Sequence, residues 1–510
     1  MNKVILTGNT LTLDELVAVC RHNSVVELSK EATLRVINSR KIIDDFVEKE
    51  AVVYGVTTGF GKFSEVAISK QDCVLLQKNL IMTHAVGAGN GFDREIVRGI
   101  MLLRLNNLAK GFSGARLETV ETLLNMLNKQ VHPVVPEKGS LGASGDLAPL
   151  SHVVLPMIGM GFAEYKGEIL KGAEAMEQAG IPVIDLYAKE GIALINGTQV
   201  MTAAGALALY DALDLLKIAD ITAALTFEAL NGITTALDPN VHMTRPHKGQ
   251  ISTAYILLNL LKNSEMTSIQ GEIRVQDPYT LRCLPQIHGA SKNAIKYIQE
   301  QVEVEMNAVT DNPIIFPDTQ EVISGGNFHG QPMALSFDFL GSAAAELADV
   351  AERRIERLVN PALNYELPAF LVPNGGLNSG YMIVQYSAAA LVSENKVLAH
   401  PSSVDSIPSS ANQEDHVSMG TIGARKAREI VFNVRRVLAM ELMCACQAID
   451  LRGKRKLGEG TEAAYDLVRT VIPFYENDRE IHPEINICEK LLIDGSLIET
   501  VEKAIGKIEF

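Results

Sequence analysis

The sequence predicts a mainly α-helical protein, in which long helices form one central bundle and a smaller N-terminal lobe holds short strands and loops. Three observations predict this class. Apolar residues make up 47% of the 510 positions, so the chain can bury a large core. Long Ala- and Leu-rich segments place apolar residues three and four positions apart, which is the spacing of one helix face. Polar stretches rich in Gly, Asn and Pro separate these segments, without an internal repeat or a low-complexity linker.

The first part of the chain carries the strand and turn signals. The stretch from Val4 to Leu6 is typical of a short strand, and Thr12 to Glu15 form a capping box that begins a helix. Ser29 is expected to cap a second helix. The segment from Ala51 to Phe63 is rich in Gly and β-branched residues, which favours strand and loop. We therefore expect a separate N-terminal lobe over residues 1–110.

Long helices dominate residues 111–510, which we expect to form the bundle and to join the lobe in one continuous unit. Alanine and glycine on these helices allow close approach of the helix axes. The most apolar stretch, Leu147 to Ala163, is short for a membrane span and contains Pro149 and Pro156, so it predicts a buried core helix. The longest predicted helices cover Gln199 to Leu230, Leu340 to Leu358, Met382 to His400 and Ala427 to Leu451.

Charge and cysteine content exclude several classes of partner. The net charge is −15, from 46 Lys and Arg against 61 Asp and Glu. Nucleic acids and anionic membranes require clustered positive charge, so neither is expected as a partner. The N-terminus lacks the apolar region of a signal peptide, and the six cysteines are sparse. We expect reduced thiols in a cytoplasmic protein.

The sequence contains no complete nucleotide-binding motif and no metal-ligand spacing. The stretch from Gly55 to Phe63 resembles a P-loop, but its glycine spacing is one residue too long and Phe63 replaces the Ser or Thr that holds Mg²⁺. The glycines of His84 to Gly91 follow a predicted helix rather than a strand. The 11 histidines are scattered and form no ligand spacing, so we expect no metal site.

The stretch Gly139 to His152, GSLGASGDLAPLSH, concentrates three glycines around Ala143-Ser144-Gly145. One interpretation is a glycine-rich helix start with Ser144 or Asp146 as the N-cap. The other is chemical, because Gly145 offers an unhindered backbone nitrogen and Ala143 an unhindered carbonyl. Attack of that nitrogen on that carbonyl closes a five-membered ring, and loss of the Ser144 hydroxyl as water leaves an electrophilic methylene. Three residues alone do not decide between these interpretations.

The longer string G-S-L-G-A-S-G-D-L-A-P-L resembles the signature of the aromatic amino acid ammonia-lyase and aminomutase family, and similar segments follow from Tyr54 to about Leu451. The resemblance implies that Ala143-Ser144-Gly145 cyclises autocatalytically to 4-methylidene-imidazol-5-one (MIO), with Ala143 cross-linked to Gly145 and Ser144 dehydrated. It also implies a lyase that removes an amine from Cα and a proton from Cβ of an amino acid, with no metal and no nucleotide as cofactor.

Two tyrosines match catalytic positions of that family. Tyr54 lies in Val-Tyr-Gly-Val-Thr-Thr-Gly-Phe-Gly, which is similar to the family's mobile catalytic loop. Tyr279 lies in Val-Gln-Asp-Pro-Tyr-Thr-Leu-Arg-Cys. A hydroxyl that takes a β-proton needs a lowered pKa, through nearby donors or positive charge. The sequence does not divide proton transfer between the two, and without the resemblance Tyr54 would be an ordinary loop tyrosine.

Four further residues match substrate-binding positions. The resemblance implies that Arg282 grips the substrate carboxylate, with the two parallel hydrogen bonds of a planar guanidinium. Gln276 belongs to the same segment. Asn196, in Leu-Ile-Asn-Gly-Thr-Gln, matches an asparagine near the ring and the carboxylate, and Phe328, in Gly-Gly-Asn-Phe-His, matches an aromatic beside the ring. Taken alone, Asn196 would be a turn residue and Phe328 a core residue.

Two residues indicate which amino acid is the substrate. His84 and Glu414 stand where histidine-specific members of the family carry His and Glu. An imidazole needs partners for two ring nitrogens, which a carboxylate and a histidine supply. A phenyl ring would leave the Glu414 carboxylate desolvated and unpaired. The expected reaction is therefore deamination of L-histidine to trans-urocanate, and Thr83, where Ser is commoner, is a mild departure.

The resemblance further implies a homotetramer whose active sites draw residues from more than one subunit. One alternative stays within the family, as a tyrosine or phenylalanine ammonia-lyase or an aminomutase. A second alternative is a helical binding scaffold without catalytic activity. A third, a fumarase-type helical lyase, lacks support because its Gly-Ser-Ser-x-Met-Pro loop is missing from the sequence.

Overall fold

Helices make up most of the backbone, so the predicted mainly α-helical class is confirmed. The computed structural model describes residues 3–49, 53, 56, 58–59, 68–69 and 72–510. The predicted lobe over residues 1–110 stays a prediction. The chain forms two compact units, the first made of Met1–Tyr210, Gln299–Asp338 and Pro401–Arg425, and the second of Asp211–Ile298, Phe339–His400 and Lys426–Phe510.

The helices and strands follow one another along the chain as two sets. The elements that begin before residue 200 are β1 Lys3–Leu6, α1 Leu13–His22, β2 Val25–Leu28, α2 Lys30–Glu48, α3 Cys73–His84, β3 Ala88–Gly91, α4 Arg94–Ala109, α5 Leu117–Asn128, β4 His132–Pro133, β5 Pro136–Lys138, α6 Leu147–Val154, β6 Phe162–Tyr165, β7 Glu168–Lys171, α7 Gly172–Gln178, α8 Glu190–Ile195 and α9 Gln199–Ala229. The elements that follow are α10 Pro239–Met243, α11 Lys248–Leu260, α12 Tyr279–Arg282, α13 Leu284–Met306, β8 Ile314–Phe316, β9 Glu321–Ile323, α14 Gln331–Val359, α15 Met382–Leu398, α16 Gly420–Leu451, α17 Glu459–Val471, α18 His482–Ile493 and α19 Ser496–Ile505.

Small sheets occur in the first unit. β1 pairs with β2 in parallel, with Lys3 opposite Val25. β3 and β5 form an antiparallel pair, as do β8 and β9. β4, β6 and β7 form a three-stranded sheet in that order. These strands are short, so helices form the core of the unit.

Local sequence signals start the first two helices as predicted. The Thr12 side chain accepts from the Glu15 backbone N–H at 3.2 Å, and the Glu15 carboxylate accepts from the Thr12 N–H at 3.0 Å. Ser29 accepts from the Ala32 N–H at 3.1 Å. Each contact satisfies a backbone donor that has no partner within its own helix.

The apolar stretch from Leu147 to Ala163 differs from the single helix predicted for it. α6 ends at Val154, a 3₁₀ turn covers Leu155–Ile158, and β6 begins at Phe162. Pro156 lies in that turn and has no N–H to donate, so an α-helix is weakened there. Gly159 then adopts a φ of +74°, which ends the turn.

Glycine allows one especially close contact inside the first unit. A Cβ added to Gly205 of α9 would lie 2.1 Å from ring atoms of Phe337 in α14. No side chain fits there, so the absence of one lets a large aromatic ring pack against the α9 backbone. This contact helps to hold in place the N-terminal end of α9, which adjoins the candidate site.

Candidate active site

The Ala143-Ser144-Gly145 segment forms a tight turn against a second loop. Gly145 and Gly197 form a parallel β-bridge, in which the Asp146 N–H donates to the Gly197 carbonyl at 2.7 Å. Gly145 has a φ of +74°, and a Cβ there would lie 2.1 Å from the Gly197 oxygen. Only glycine fits this position. In this turn, Ser144 is therefore followed by a residue that has no side chain.

The buried carboxylate of Asp146 holds the turn in place through hydrogen bonds. Its Oδ2 accepts from the backbone N–H groups of Val200 and Met201, each at 2.9 Å, in the first turn of α9. Its Oδ1 accepts from the Ser140 hydroxyl at 2.7 Å and from the Thr421 hydroxyl. One carboxylate thus joins the start of α9 to the segment before the turn and to the start of α16. The N-cap predicted for Asp146 is only partly realised, because Asp146 precedes α6 but makes no side-chain cap to it.

The segment that precedes α16 lies against the same turn. The Ser418 N–H and hydroxyl donate to the Gly142 carbonyl at 3.2 and 3.1 Å. The Met419 N–H donates to the Leu141 carbonyl at 3.1 Å. These contacts bring Glu414 to the turn. The Ser144 hydroxyl donates to Oε1 of Glu414 at 3.1 Å.

A cavity of about 1200 Å³ opens over Ser144 within the first unit. It is large enough for an amino acid with an aromatic side chain. Its lining includes the predicted site residues His84, Ala143, Ser144, Asn196, Phe328 and Glu414. The structure therefore brings together six predicted residues from five separate parts of the sequence.

His84 ends α3 and has one ring nitrogen engaged. Its Nδ1 lies 2.8 Å from the Leu80 carbonyl oxygen, so Nδ1 carries the proton and donates. Burial lowers the pKa of His84, while the bond to Leu80 and the carboxylate of Glu414 oppose this effect. The neutral ring is therefore favoured, and its Nε2 is left as an acceptor.

Asn196 follows α8 and is buried, with one side-chain atom free for a ligand. Its Nδ2 donates to the Asn312 carbonyl at 3.1 Å. Its Oδ1 has no hydrogen-bond partner among the described residues. A buried acceptor without a partner is costly, so a ligand that donates to it is favoured.

Two histidines that the sequence analysis did not select also line the cavity. The rings of His329 and His416 stack with centroids 5.4 Å apart, and the His329 Nδ1 accepts from the Gln331 N–H at 3.3 Å. Both lie within motifs used above, beside Phe328 and Glu414. Their positions next to these predicted site residues could have indicated that they line the same cavity.

Ser409, whose hydroxyl donates to Glu414 five positions later, was missed because it carries no motif of its own. Asp146 was considered only as an N-cap, because its partners Val200 and Thr421 are distant in sequence.

Five predicted residues are not among the described residues that line this cavity. Gly145 belongs to the turn described above, and Tyr54 lies outside the described residues. Gln276, Tyr279 and Arg282 belong to the second unit. The Tyr279 side chain is 68% exposed, and the Arg282 guanidinium lies 4.6 Å from the centre of its ring. The short helix α12 therefore does place both on one face, as their spacing predicts.

Among the described residues, no group of three or more His, Cys, Asp or Glu side chains is arranged to hold a metal ion. Likewise, none of the described helices is long and apolar enough to span a membrane.

Comparisons with known proteins agree along the whole chain. The family model described as aromatic amino acid lyase matches residues 11–470. The chain is 63% identical over 505 residues to a histidine ammonia-lyase of Alkaliphilus oremlandii, covering 99% of each chain, and 62% identical over 509 residues to one of Clostridium tetani, again covering 99% of each. Among solved structures, a histidine ammonia-lyase from Trypanosoma cruzi matches with a TM-score of 0.93 at 44% identity, over 99% of this chain and 96% of that one. A tyrosine aminomutase from Streptomyces globisporus matches with a TM-score of 0.95 at 36% identity, over 99% of both chains.

Proposed function

The chain belongs to the aromatic amino acid lyase family, and we propose that it removes ammonia from L-histidine without oxidation, to give trans-urocanate. It is a carbon–nitrogen lyase. The observation that carries the choice of substrate is the position of Glu414, whose carboxylate meets Ser144 in a cavity that His84 also lines. This arrangement provides acceptors for an imidazole ring beside the predicted reactive residue.

The residues of the turn fit the MIO group that the family implies. Ring closure between Ala143 and Gly145 needs small residues on both sides of Ser144, and the close approach of Gly197 leaves room for none larger at Gly145. The Ser144 hydroxyl, which dehydration would remove, lies in the cavity. We propose that Ala143-Ser144-Gly145 forms MIO, which supplies an electrophilic methylene that draws electrons from the substrate amine.

Glu414 and His84 recognise the imidazole of the substrate in this proposal. The Glu414 carboxylate accepts from one ring N–H, and the free Nε2 of His84 accepts from the other when the ring is protonated. A phenyl ring offers no donor to either acceptor, so both would be desolvated without a partner, which rejects phenylalanine. A phenol has a single O–H and satisfies only one of the two acceptors, which disfavours tyrosine.

Asn196 and Phe328 complete the part of the site that the first unit provides. The partnerless Oδ1 of Asn196 accepts from the ammonium group of the substrate, which is the strongest donor that an amino acid offers. Phe328 is half-buried and lines the cavity, where its ring would pack beside the MIO group and exclude water.

The remaining roles rest on the family resemblance. Tyr54 and Tyr279 serve proton transfer from Cβ, Arg282 binds the substrate carboxylate, and Gln276 lies beside them.

We propose that the protein is a homotetramer in which these groups meet the cavity across subunits. The exposed apolar residues Ile383, Tyr386 and Val397 of α15, which are 53%, 59% and 73% exposed, support burial against another copy. All six cysteines are free thiols, which supports a cytoplasmic location.

Urocanate formation and intact mass test this proposal together. The wild-type protein should produce urocanate, which absorbs in the near ultraviolet, from L-histidine and not from L-tyrosine or L-phenylalanine. Its mass should fall about 36 Da below that of the sequence, for the loss of two waters. Ser144→Ala should lose both the mass change of dehydration and the activity. Ser151→Ala, which removes a hydroxyl whose one partner among the described residues is the Leu147 carbonyl of its own helix, is the matched control. Full activity in Ser144→Ala would contradict the proposal.

A further inference from the structure

Glu414 stands at the end of a closed turn that begins at Ser409. The Ser409 N–H donates to the Glu414 carbonyl at 2.9 Å, and the Glu414 N–H donates to the Ser409 carbonyl at 3.3 Å. Between them, Ser410, Ala411 and Asn412 have φ values of +51°, +53° and +66°. Three consecutive residues in the left-handed region are unusual without glycine. The turn therefore holds a strained backbone, of the kind that occurs where a side chain must be aimed.

The two carboxylate oxygens of Glu414 have different partners. Oε2 accepts from the Ser409 hydroxyl at 2.9 Å. Oε1 accepts from the Ser144 hydroxyl at 3.1 Å. Ser409 thus holds one oxygen from within the turn, and the other points to the predicted reactive residue. Rotation of the carboxylate would break both contacts.

Formation of MIO changes only one of these contacts. The Ser144 hydroxyl leaves as water in the proposed dehydration, so Oε1 loses its donor, whereas the Ser409 hydroxyl still holds Oε2. The freed Oε1 then becomes an acceptor inside the cavity, at a position that was set before the ring formed. An oriented acceptor loses less entropy on binding than a mobile side chain does.

We propose that Ser409 is a positioning residue for substrate specificity: its hydroxyl orients Glu414 so that Oε1, released by dehydration of Ser144, accepts the imidazole N–H of the substrate. This inference rests on the proposed function. It assigns Ser409 no contact with the substrate and no part in the chemistry. Its effect is therefore expected on recognition of the imidazole rather than on turnover.

Steady-state kinetics separate this role from a general structural one. Ser409→Ala should raise KM for L-histidine about tenfold, the usual worth of a hydrogen bond to a charged group, while kcat changes much less. Ser409→Thr keeps the hydroxyl and should restore KM. Ser410→Ala removes a neighbouring hydroxyl of the same turn that lines the cavity but is not a described partner of Glu414, so it should raise KM much less than Ser409→Ala does. An unchanged KM in Ser409→Ala, or an equal fall of kcat in both alanine variants, overturns the proposal.

Urocanate binding by calorimetry tests the same contact without catalysis. In the Ser144→Ala background no ring forms, and the hydroxyl that occupies Oε1 is removed. Ser144→Ala with Ser409→Ala should bind urocanate about tenfold more weakly than Ser144→Ala alone. Equal affinities overturn the role of Ser409 but leave the proposed function intact. A wild type that forms no urocanate from L-histidine overturns the proposed function itself.

Discussion

Asp146 concentrates an unusual share of the site's structure in one side chain. It is fully buried, and its carboxylate accepts from four donors on three segments of the chain. Two of these donors are helix N–H groups that α9 cannot satisfy itself. Removal of the carboxylate would leave them buried without a partner, which costs more than the bonds contribute on formation.

We therefore expect Asp146→Ala to lower the free energy of unfolding by about 3 kcal/mol, because the buried donors lose a charged acceptor. Urea unfolding followed by circular dichroism measures the change. The turn should also lose its position, so the intact mass should show incomplete loss of water. Asp318→Ala, which removes an exposed carboxylate, is the control and should have little effect. A loss below about 1 kcal/mol at Asp146 would contradict this account of the anchor.

The sequence predicted residues that react or bind, but not the contacts that hold them. Ser144, His84 and Glu414 stand in motifs that resemble a family, and the structure places them around one cavity. Asp146 lies in the same motif as Ser144, but the motif does not indicate its partners, and Ser409 stands in no such motif. Asp146 meets partners 54 and 275 positions away, and pairing at that distance depends on the folded backbone rather than on any local pattern. The role of Tyr54 stays a prediction, since it lies outside the described residues.

At the scale of elements, the sequence predicted helices well where local signals were strong. The capping residues Thr12 and Ser29 start α1 and α2 as expected. The prediction was wrong where an apolar stretch contained residues whose backbone does not continue an α-helix. Pro156 and Gly159 interrupt the stretch predicted as one helix, and their effect outweighs its hydrophobicity. The last residues of this stretch, Phe162 and Ala163, begin β6.

The contact between α4 and β4 makes stability depend on pH. Arg98 of α4 donates to Nε2 of His132 at 3.2 Å, and Nδ1 of His132 lies 3.4 Å from the Glu164 carboxylate. Burial, aided by the charge of Arg98 and opposed by Glu164, lowers the pKa of His132 from 6.5 to about 4. Between these values the unfolded chain binds a proton that the folded chain does not. Stability therefore falls as the pH falls through this range.

We expect His132 to account for a loss of about 2 kcal/mol in the free energy of unfolding between about pH 7 and pH 5. His132→Gln retains an acceptor for Arg98 and does not titrate, so the loss over this range should shrink by that amount. Urea midpoints at both pH values measure it. The same substitution at His247, whose side chain is exposed, is the control for the replacement of a histidine by glutamine. If the free energy of unfolding of His132→Gln changes with pH as much as that of the wild type does, groups other than His132 cause the pH dependence.

At the scale of the whole molecule, the predicted site is divided between two sets of residues. Ser144 and Glu414 belong to the first unit and line its cavity, whereas Tyr279 and Arg282 belong to the second. Both sets were identified from the family resemblance, which implies that they meet across subunits. We therefore expect the complete site only in the proposed tetramer, and a sample with mixed subunits tests this.

Complementation between two inactive variants provides that test. Ser144→Ala lacks the reactive residue and Arg282→Ala lacks the predicted carboxylate ligand, so each homotetramer should be inactive alone. If a site takes Ser144 from one chain and Arg282 from another, random co-assembly gives both intact residues at about a quarter of the sites. Coexpressed chains with different affinity tags, purified on both, should then regain up to that fraction of urocanate formation. If every chain builds its own site, no hybrid site is complete and activity stays absent. Light scattering on the same sample should give four chains, since the recovery of activity depends on that assembly.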